Sequence, residues 1–272
     1  MSKIMGWLGK SSRPSNGKGV DHKKAASLNH LTKRSESDRN SLPISEDYYL
    51  NIMCDDLQVM KTEARVNGNR CASLLQSLEG KTIQITAVNI DVVNSSEKVK
   101  TLSSEAAGEY YQTFIENTSD LIESYGGYVL KNVGDCVLGF FPCSKYVVEN
   151  HDSAVLCGLA MRSMINDSLN PYFMERKLPS IACRVSADFG AAKVLRVTSN
   201  GGYSAIDLFG SALNSAAKIS QYAKPSQMVI GDNLFWKLIN TNDFDFKLIN
   251  RFSLTGNHSY PVYLVERRRG CA

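Results

Sequence analysis

No Cys-x-x-Cys pair occurs in the 272 residues, and the seven cysteines (54, 71, 136, 143, 157, 183 and 271) are an odd, scattered set. That excludes a disulfide framework and points to a reducing compartment, expected to be the cytoplasm, where cysteine serves as a small apolar residue. The four histidines (22, 30, 151 and 258) form no His-Glu-x-x-His or similar spacing, which argues against a zinc site. No apolar run approaches the roughly 18 residues of a membrane span. Residues 1–9 are too short for the core of a signal peptide. With 43% hydrophobic and 21% charged residues, the chain has the composition of an ordinary globular protein with room for one large domain and an appendage.

A basic body is also lacking. Lys and Arg number 31 against 27 Asp and Glu. Residues 1–45 hold nine of the former and three of the latter, so the rest of the chain carries 22 against 24 and is nearly neutral. A nucleic-acid-binding body would carry a basic face, so no nucleic-acid partner is expected. Residues 1–45 also contain nine Ser, four Gly and few apolar side chains, too little to offset the entropy of ordering, and are read as a disordered basic tail. Weak electrostatic tethering to an anionic surface is the function such a tail suggests. Residues 46–80 are read as a leading helical segment, with Leu50, Met53, Leu57 and Met60 at helical spacing. Residues 267–272 form a short basic tail.

Between these flanks, residues 81–266 alternate β-branched runs with helical periods. Strands are expected at 81–93, 128–133, 136–141, 181–188, 191–197, 227–230, 246–254 and 262–266. Helices are expected at 104–125, 152–168 and 211–222. Gly134-Asp135 reads as a tight hairpin. The order β-α-β-β-α-β is that of a ferredoxin-like α+β layer, here with additional C-terminal strands and helices.

Two carboxylates stand out. Asp91 lies in Ile-Thr-Ala-Val-Asn-Ile-Asp-Val-Val, an otherwise apolar strand, where an ionised group needs a cation, a Lys or Arg, or the strand's end. Asp135 sits at the hairpin tip. In this strand order the first strand and the hairpin are neighbours, so both acids reach one edge of the sheet and form a site for divalent cations. Asn214 and Lys218, at i and i+4 of the expected helix 211–222, share one face and can serve one ligand. Opposite them, Leu213, Ala217 and Ile219 are expected to face inward.

Four blocks together resemble the catalytic domain of class III nucleotidyl cyclases. They are Asn-Ile-Asp-Val-Val-Asn-Ser-Ser (89–96), Tyr-Gly-Gly-Tyr-Val-Leu-Lys-Asn-Val-Gly-Asp-Cys-Val-Leu-Gly-Phe-Phe-Pro (125–142), Arg-Val-Ser-Ala-Asp-Phe-Gly (184–190) and Asp-Leu-Phe-Gly-Ser-Ala-Leu-Asn-Ser-Ala-Ala-Lys-Ile (207–219). The resemblance implies that Asp91 and Asp135 bind two Mg²⁺ or Mn²⁺ ions per site, and that Lys131 and Asp207 read the adenine of ATP. It implies that Asn214 orients the ribose and that Lys218 stands where the family usually has an Arg near the transferring phosphate. It further implies an adenylyl cyclase working as a homodimer with shared sites, making 3′,5′-cyclic AMP and pyrophosphate. Three positions depart from the family pattern. Asn94-Ser95 replaces a Gly-Phe pair after the first metal Asp, Lys218 replaces Arg, and Asn257 falls where a triphosphate-contacting Lys is usual. These departures favour the rival reading, a non-catalytic cyclase-like module that binds a nucleotide or only dimerises, while retention of both metal Asp residues and both base readers opposes it.

Overall fold

The computed structural model describes residues 70–143, 150–253 and 259–268. The basic tail at 1–45, most of the leading segment at 46–80, Asn257 and residues 269–272 lie outside them.

Helix α1 (Arg70–Ser77) precedes the long strand β1 (Thr82–Val92). A short helix α2 (Ser95–Val99) and the long α3 (Ser104–Ser124) lead to the hairpin of β2 (Tyr128–Val133) and β3 (Cys136–Cys143). Next come α4 (Asn150–Met164), a π-helical turn (Ile165–Leu169), α5 (Asn170–Glu175), β4 (Cys183–Thr198), β5 (Ser204–Gly210) and α6 (Ser211–Ile219). Strand β6 (Gln227–Gly231), the single turn α7 (Asp232–Phe235), β7 (Phe244–Ser253) and β8 (Ser259–Arg267) follow.

The sheet runs β2-β3-β1-β4-β6-β8-β7, with β5 paired to β4 alone. Its first four strands have the ferredoxin-like order, and the C-terminal strands extend it. All pairings are antiparallel except β4 with β6.

Both faces of the sheet are covered, which is why β1 is buried at every position from Ile85 to Ile90. Val88, Ile90 and Val92 point to one face and pack with Tyr110, Phe114 and Ile122 of α3 and Val155, Leu159 and Met161 of α4. Ile85 and Ala87 point to the other and pack with Leu75 of α1 and Ala212 and Ala216 of α6. By the same alternation Asp91 lies on the α1/α6 face, at the end of the strand. Helix α3 starts at Ser103, whose Oγ accepts a hydrogen bond from the Ala106 amide at 3.2 Å.

Four details differ from the sequence expectation. The strands expected at 181–188 and 191–197 are one continuous strand, β4. Glycine usually interrupts a strand, but here Gly190 marks a close approach: a Cβ there would lie 2.9 Å from Ser211 Oγ at the start of α6. Residues 204–210, for which no element was expected, form strand β5 and carry Asp207. Helix α6 ends at Ile219 and continues as a 3₁₀ turn, Ser220–Tyr222. Its inward face is Ala212, Ser215, Ala216 and Ile219, while Ala217 is exposed and Leu213 half-buried.

Candidate active site

Antiparallel register builds the acidic edge. Asp91 on β1 lies opposite Cys136 on β3. Asp135 directly precedes Cys136, and Gly134 takes a left-handed φ of 62°, which lets the hairpin reverse there. The two carboxylates thus come to neighbouring strands at one end of the sheet. The thiol between them registers both: burial first, then Asp91 and Asp135, push Cys136 up to about 11. As a neutral thiol it donates to Asn89 Oδ1 at 3.0 Å.

The partner that the buried strand demanded for Asp91 comes from its other neighbour. Arg184 is opposite Asp91 on β4, and its Nη2 donates to Asp91 Oδ2 at 2.7 Å. Arg184 Nε is buried and, among the described residues, has no hydrogen-bond partner. A buried donor left unpaired costs roughly 1–3 kcal/mol, so this atom favours an acceptor arriving at the same edge. Sequence reasoning found the block containing Arg184 but gave the residue no role. It is one of three basic residues in β4, with Lys193 and Arg196, and nothing local in the sequence sets it apart.

Asn94 follows this edge and adopts φ 55° and ψ 35°, the left-handed region. Glycine enters that region freely, and asparagine tolerates it better than most other residues. The replacement of the family's glycine therefore keeps the backbone turn. Ser95 is buried beneath it.

A second polar pair forms elsewhere on the sheet. Lys131 Nζ donates to Asp207 Oδ2, with the two side chains 42% and 25% exposed. The strands carrying them do not pair with each other. A register shift between Val129 and Lys131 re-aims β2 at this point. Asp207 also accepts from the Leu208 amide at 2.8 Å.

Asn214 and Lys218 both lie exposed on α6, one turn apart as expected. The opposite face is tied down by Ser186 Oγ, which donates to the Ala216 carbonyl at 2.8 Å. Among the described residues, no side-chain hydrogen bond or ion pair joins Asn214 or Lys218 to Asp91, Asp135, Lys131 or Asp207.

Hard oxygen donors on neighbouring strands suit Mg²⁺ or Mn²⁺, which are commonly held by one or two carboxylates with substrate phosphates completing the shell. Among the described residues there is no group of three or more His, Cys, Asp or Glu side chains placed to hold a metal. Asp91 and Asp135 therefore fit an ion that is shared with a phosphate ligand.

A family model described as the adenylate and guanylate cyclase catalytic domain matches residues 79–267. The chain belongs to this family. It is 25% identical over 169 residues to a uridylate cyclase of Burkholderia cepacia, covering 61% of this chain and 68% of that one. It is 21% identical over 170 residues to a cytidylate cyclase of Escherichia coli, covering 59% of this chain and 36% of that one. The chain therefore spans about two thirds of the first relative and about a third of the second. Among solved structures, the adenylyl cyclase CyaB from P. aeruginosa superposes with a TM-score of 0.63 at 18% identity, over 70% of this chain and 97% of that one. The guanylate cyclase domain of RhGC from Catenaria anguillulae in complex with GTP superposes at 0.60 and 18% identity, over 70% and 100%. These likenesses establish the class III cyclase fold. Among the described residues, no helix of this cyclase domain is long and apolar enough to cross a membrane.

Proposed function

We propose that this cyclase acts on a nucleoside triphosphate whose base presents a ring acceptor beside an amino donor, with ATP as the first substrate. The observation that carries the reading is the Lys131–Asp207 pair: a half-exposed ammonium next to a carboxylate, on strands that bring them together for no ladder of their own. Adenine offers N1 as acceptor and N6 as donor, matching Lys131 and Asp207 in turn. Guanine presents the reverse polarity at these positions. A site whose polar groups face the wrong partners discriminates by several orders of magnitude, up to about 10⁴–10⁵.

In this reading the ribose 3′-oxygen attacks the α-phosphorus in line. The bond from that phosphorus to the bridging oxygen breaks, pyrophosphate leaves, and the hydroxyl proton passes to solvent. Asp91 and Asp135 would hold Mg²⁺ or Mn²⁺, which would supply acidification of the attacking hydroxyl and neutralisation of phosphate charge. Arg184 presents its unpaired Nε to the triphosphate. Asn214 orients the ribose, and Lys218 meets the charge that builds on the α-phosphate. Family membership supports a homodimer in which the acids of one chain and Lys131, Asp207, Asn214 and Lys218 of the second complete each of two sites.

A second reading concerns the base alone. Cytosine carries N3 and N4 in the same acceptor-donor order as adenine, and one relative is a cytidylate cyclase. CTP satisfies Lys131 and Asp207 as ATP does; uracil, with the reversed edge, does not. Purified full-length protein incubated separately with ATP, CTP, GTP and UTP, with Mg²⁺ and with Mn²⁺, decides the matter by mass identification of the products. Cyclic AMP or cyclic CMP in excess is expected. Cyclic GMP or cyclic UMP in excess overturns the base assignment, and nucleotide binding without any product favours the non-catalytic module.

A further inference from the structure

We propose that helix α1, acting through Leu75, is the positioning element that fixes the spacing of Lys131 and Asp207 and thereby sets base preference. The inference rests on the reading of those two side chains as base-contacting groups.

The need for such an element follows from the topology. Lys131 is on β2, which pairs only with β3, and Asp207 is on β5, which pairs only with β4. Among the described residues, no ladder of backbone hydrogen bonds joins β2 to β5, so the sheet alone does not fix the gap between them. A single ion pair, 42% and 25% exposed, does not hold two strands in place, since exposed pairs contribute little.

Helix α1 packs against both strands. Leu75 is 3% exposed and fills a cluster with Ile85, Phe140, Val194 and Leu208. Leu130, the residue before Lys131, packs against the same cluster. Leu208, the residue after Asp207, is part of it. The sequence neighbours of both polar groups therefore belong to or border the one cluster that Leu75 fills.

The helix also reaches the pair at its own edge. Cys71 is half-buried, and its thiol is pushed up to about 11 by burial, then by the carboxylates of Asp207 and Glu123. At the far end α1 is clamped to β4. Glu79 accepts from Arg196 Nε at 2.8 Å and Nη2 at 2.6 Å. The Gly80 amide donates to the Val194 carbonyl at 3.0 Å, and the Val194 amide to the Lys81 carbonyl at 2.9 Å. A helix fixed to β4 and wedged under β2 and β5 determines how far apart the two groups stand. Recognition groups must be held to within about 0.5 Å, and a 1 Å misplacement can cost about 100-fold.

The test compares full-length wild type with Leu75→Ala, Leu75→Val, Leu75→Met and Leu159→Ala. Leu159 lies in the core on the other face of the sheet, packed by α4, and serves as a control for general loosening. The readout is the ratio of kcat/KM for the preferred amino-edge triphosphate to that for GTP or UTP, with thermal unfolding recorded for each variant. Leu75→Ala is expected to lower the ratio by about tenfold or more. Leu75→Val should lower it less, and Leu75→Met, which conserves volume, should restore it. Leu159→Ala should reduce stability and leave the ratio unchanged. If Leu75→Ala does not fold, Leu75→Val carries the comparison. If the wild type binds triphosphates without turning them over, the same ratio is taken from dissociation constants. A folded Leu75 variant with the wild-type ratio, or an equal shift in Leu159→Ala, overturns the proposal while leaving the base-reading assignment intact. A wild type that does not distinguish amino-edge from keto-edge nucleotides overturns the base-reading assignment itself.

Discussion

Arg184 and Asp91 face each other across antiparallel strands and are joined by a 2.7 Å hydrogen bond from Nη2 to Oδ2. The guanidinium is the counter-charge that lets a carboxylate end an apolar strand, and its second donor, Nε, is buried and unspent. The pair thus offsets one of the two acids at this edge and, among the described residues, leaves a buried donor unsatisfied.

Replacing Arg184 with Ala removes that donor and frees Asp91. The expected result is a fall in kcat/KM of about 10- to 150-fold, the equivalent of one charge-assisted hydrogen bond of roughly 1.5–3 kcal/mol. Half-saturation by Mn²⁺ should stay the same or move lower, because the competing cation is gone. Metal titration of the variant checks this, and weaker metal binding would argue that Arg184 supports the metal edge rather than the phosphates.

Reversing the polarity of the exposed pair tests base reading. Lys131→Glu combined with Asp207→Ser should reduce use of the amino-edge triphosphate by about 100-fold or more relative to GTP and UTP, since donor and acceptor positions are exchanged. Competition between all four triphosphates in one tube, with products separated by mass, reads the change directly. An unaltered preference removes both residues from base recognition.

Lys218→Arg restores a fixed planar fork where the family usually has one. Because the interaction strengthens as charge develops on the α-phosphate, turnover should rise by severalfold while KM changes little. Lys218→Ala should do the opposite. Steady-state kinetics on both variants distinguish this from a solvated lysine, for which neither parameter moves.

Two buried groups give stability opposite slopes with pH. Burial, then the nearby Lys237, lowers His151 to about 4, and its Nδ1 lies 2.8 Å from Thr86 Oγ1. Its folded pKa is below the unfolded value of 6.5, so the folded state binds fewer protons and stability is lost as pH falls from about 6.5 to about 4. Asp188 runs the other way. Burial raises it to about 6 despite bonds from Tyr260 Oη and the Phe189 and Leu234 amides. Its folded state binds more protons than the unfolded chain, so stability is gained as pH falls from about 6 to 3.8. Relative to wild type, His151→Gln should therefore gain stability on acidification from pH 6.5 to 4.5, and Asp188→Asn should lose it. Urea midpoints at three pH values measure both; parallel curves for wild type and either variant would refute that assignment.

The layered order β-α-β-β-α-β was legible because β1, α3 and the Gly134-Asp135 hairpin each carry an unambiguous period or turn. Pairing Asp91 with Asp135 needed only that order, since adjacent strands in known sequence fix which ends meet. Arg184 was not legible, because register between β1 and β4, separated by many residues, is decided by packing rather than by any local signal. Strand β5 was missed for a related reason. Its residues, Ser-Ala-Ile-Asp-Leu-Phe-Gly, are few, and their strand state comes from pairing with the far end of β4. Gly190 misled the reading of β4 because glycine is permitted both in breaks and at close approaches, and only the position of α6 tells them apart. The role of α1 was out of reach from sequence, since it depends on two strands lying near each other without pairing.

Strand β4 is hydrogen-bonded to β1, β5 and β6, and it holds Arg184 opposite Asp91 near one end and Leu195 opposite Asp207 near the other. Amides of β4 from Arg184 to Ala187 have a strand on each side, β1 and β6, whereas Leu195 to Thr198 pair with β5 alone. The acidic edge and the base-facing edge are then fittings on one beam. Opening is therefore graded along its length: deuterium uptake at the Arg184 end of β4 should follow global unfolding, while the Leu195–Thr198 end exchanges by local opening that leaves the acidic edge folded.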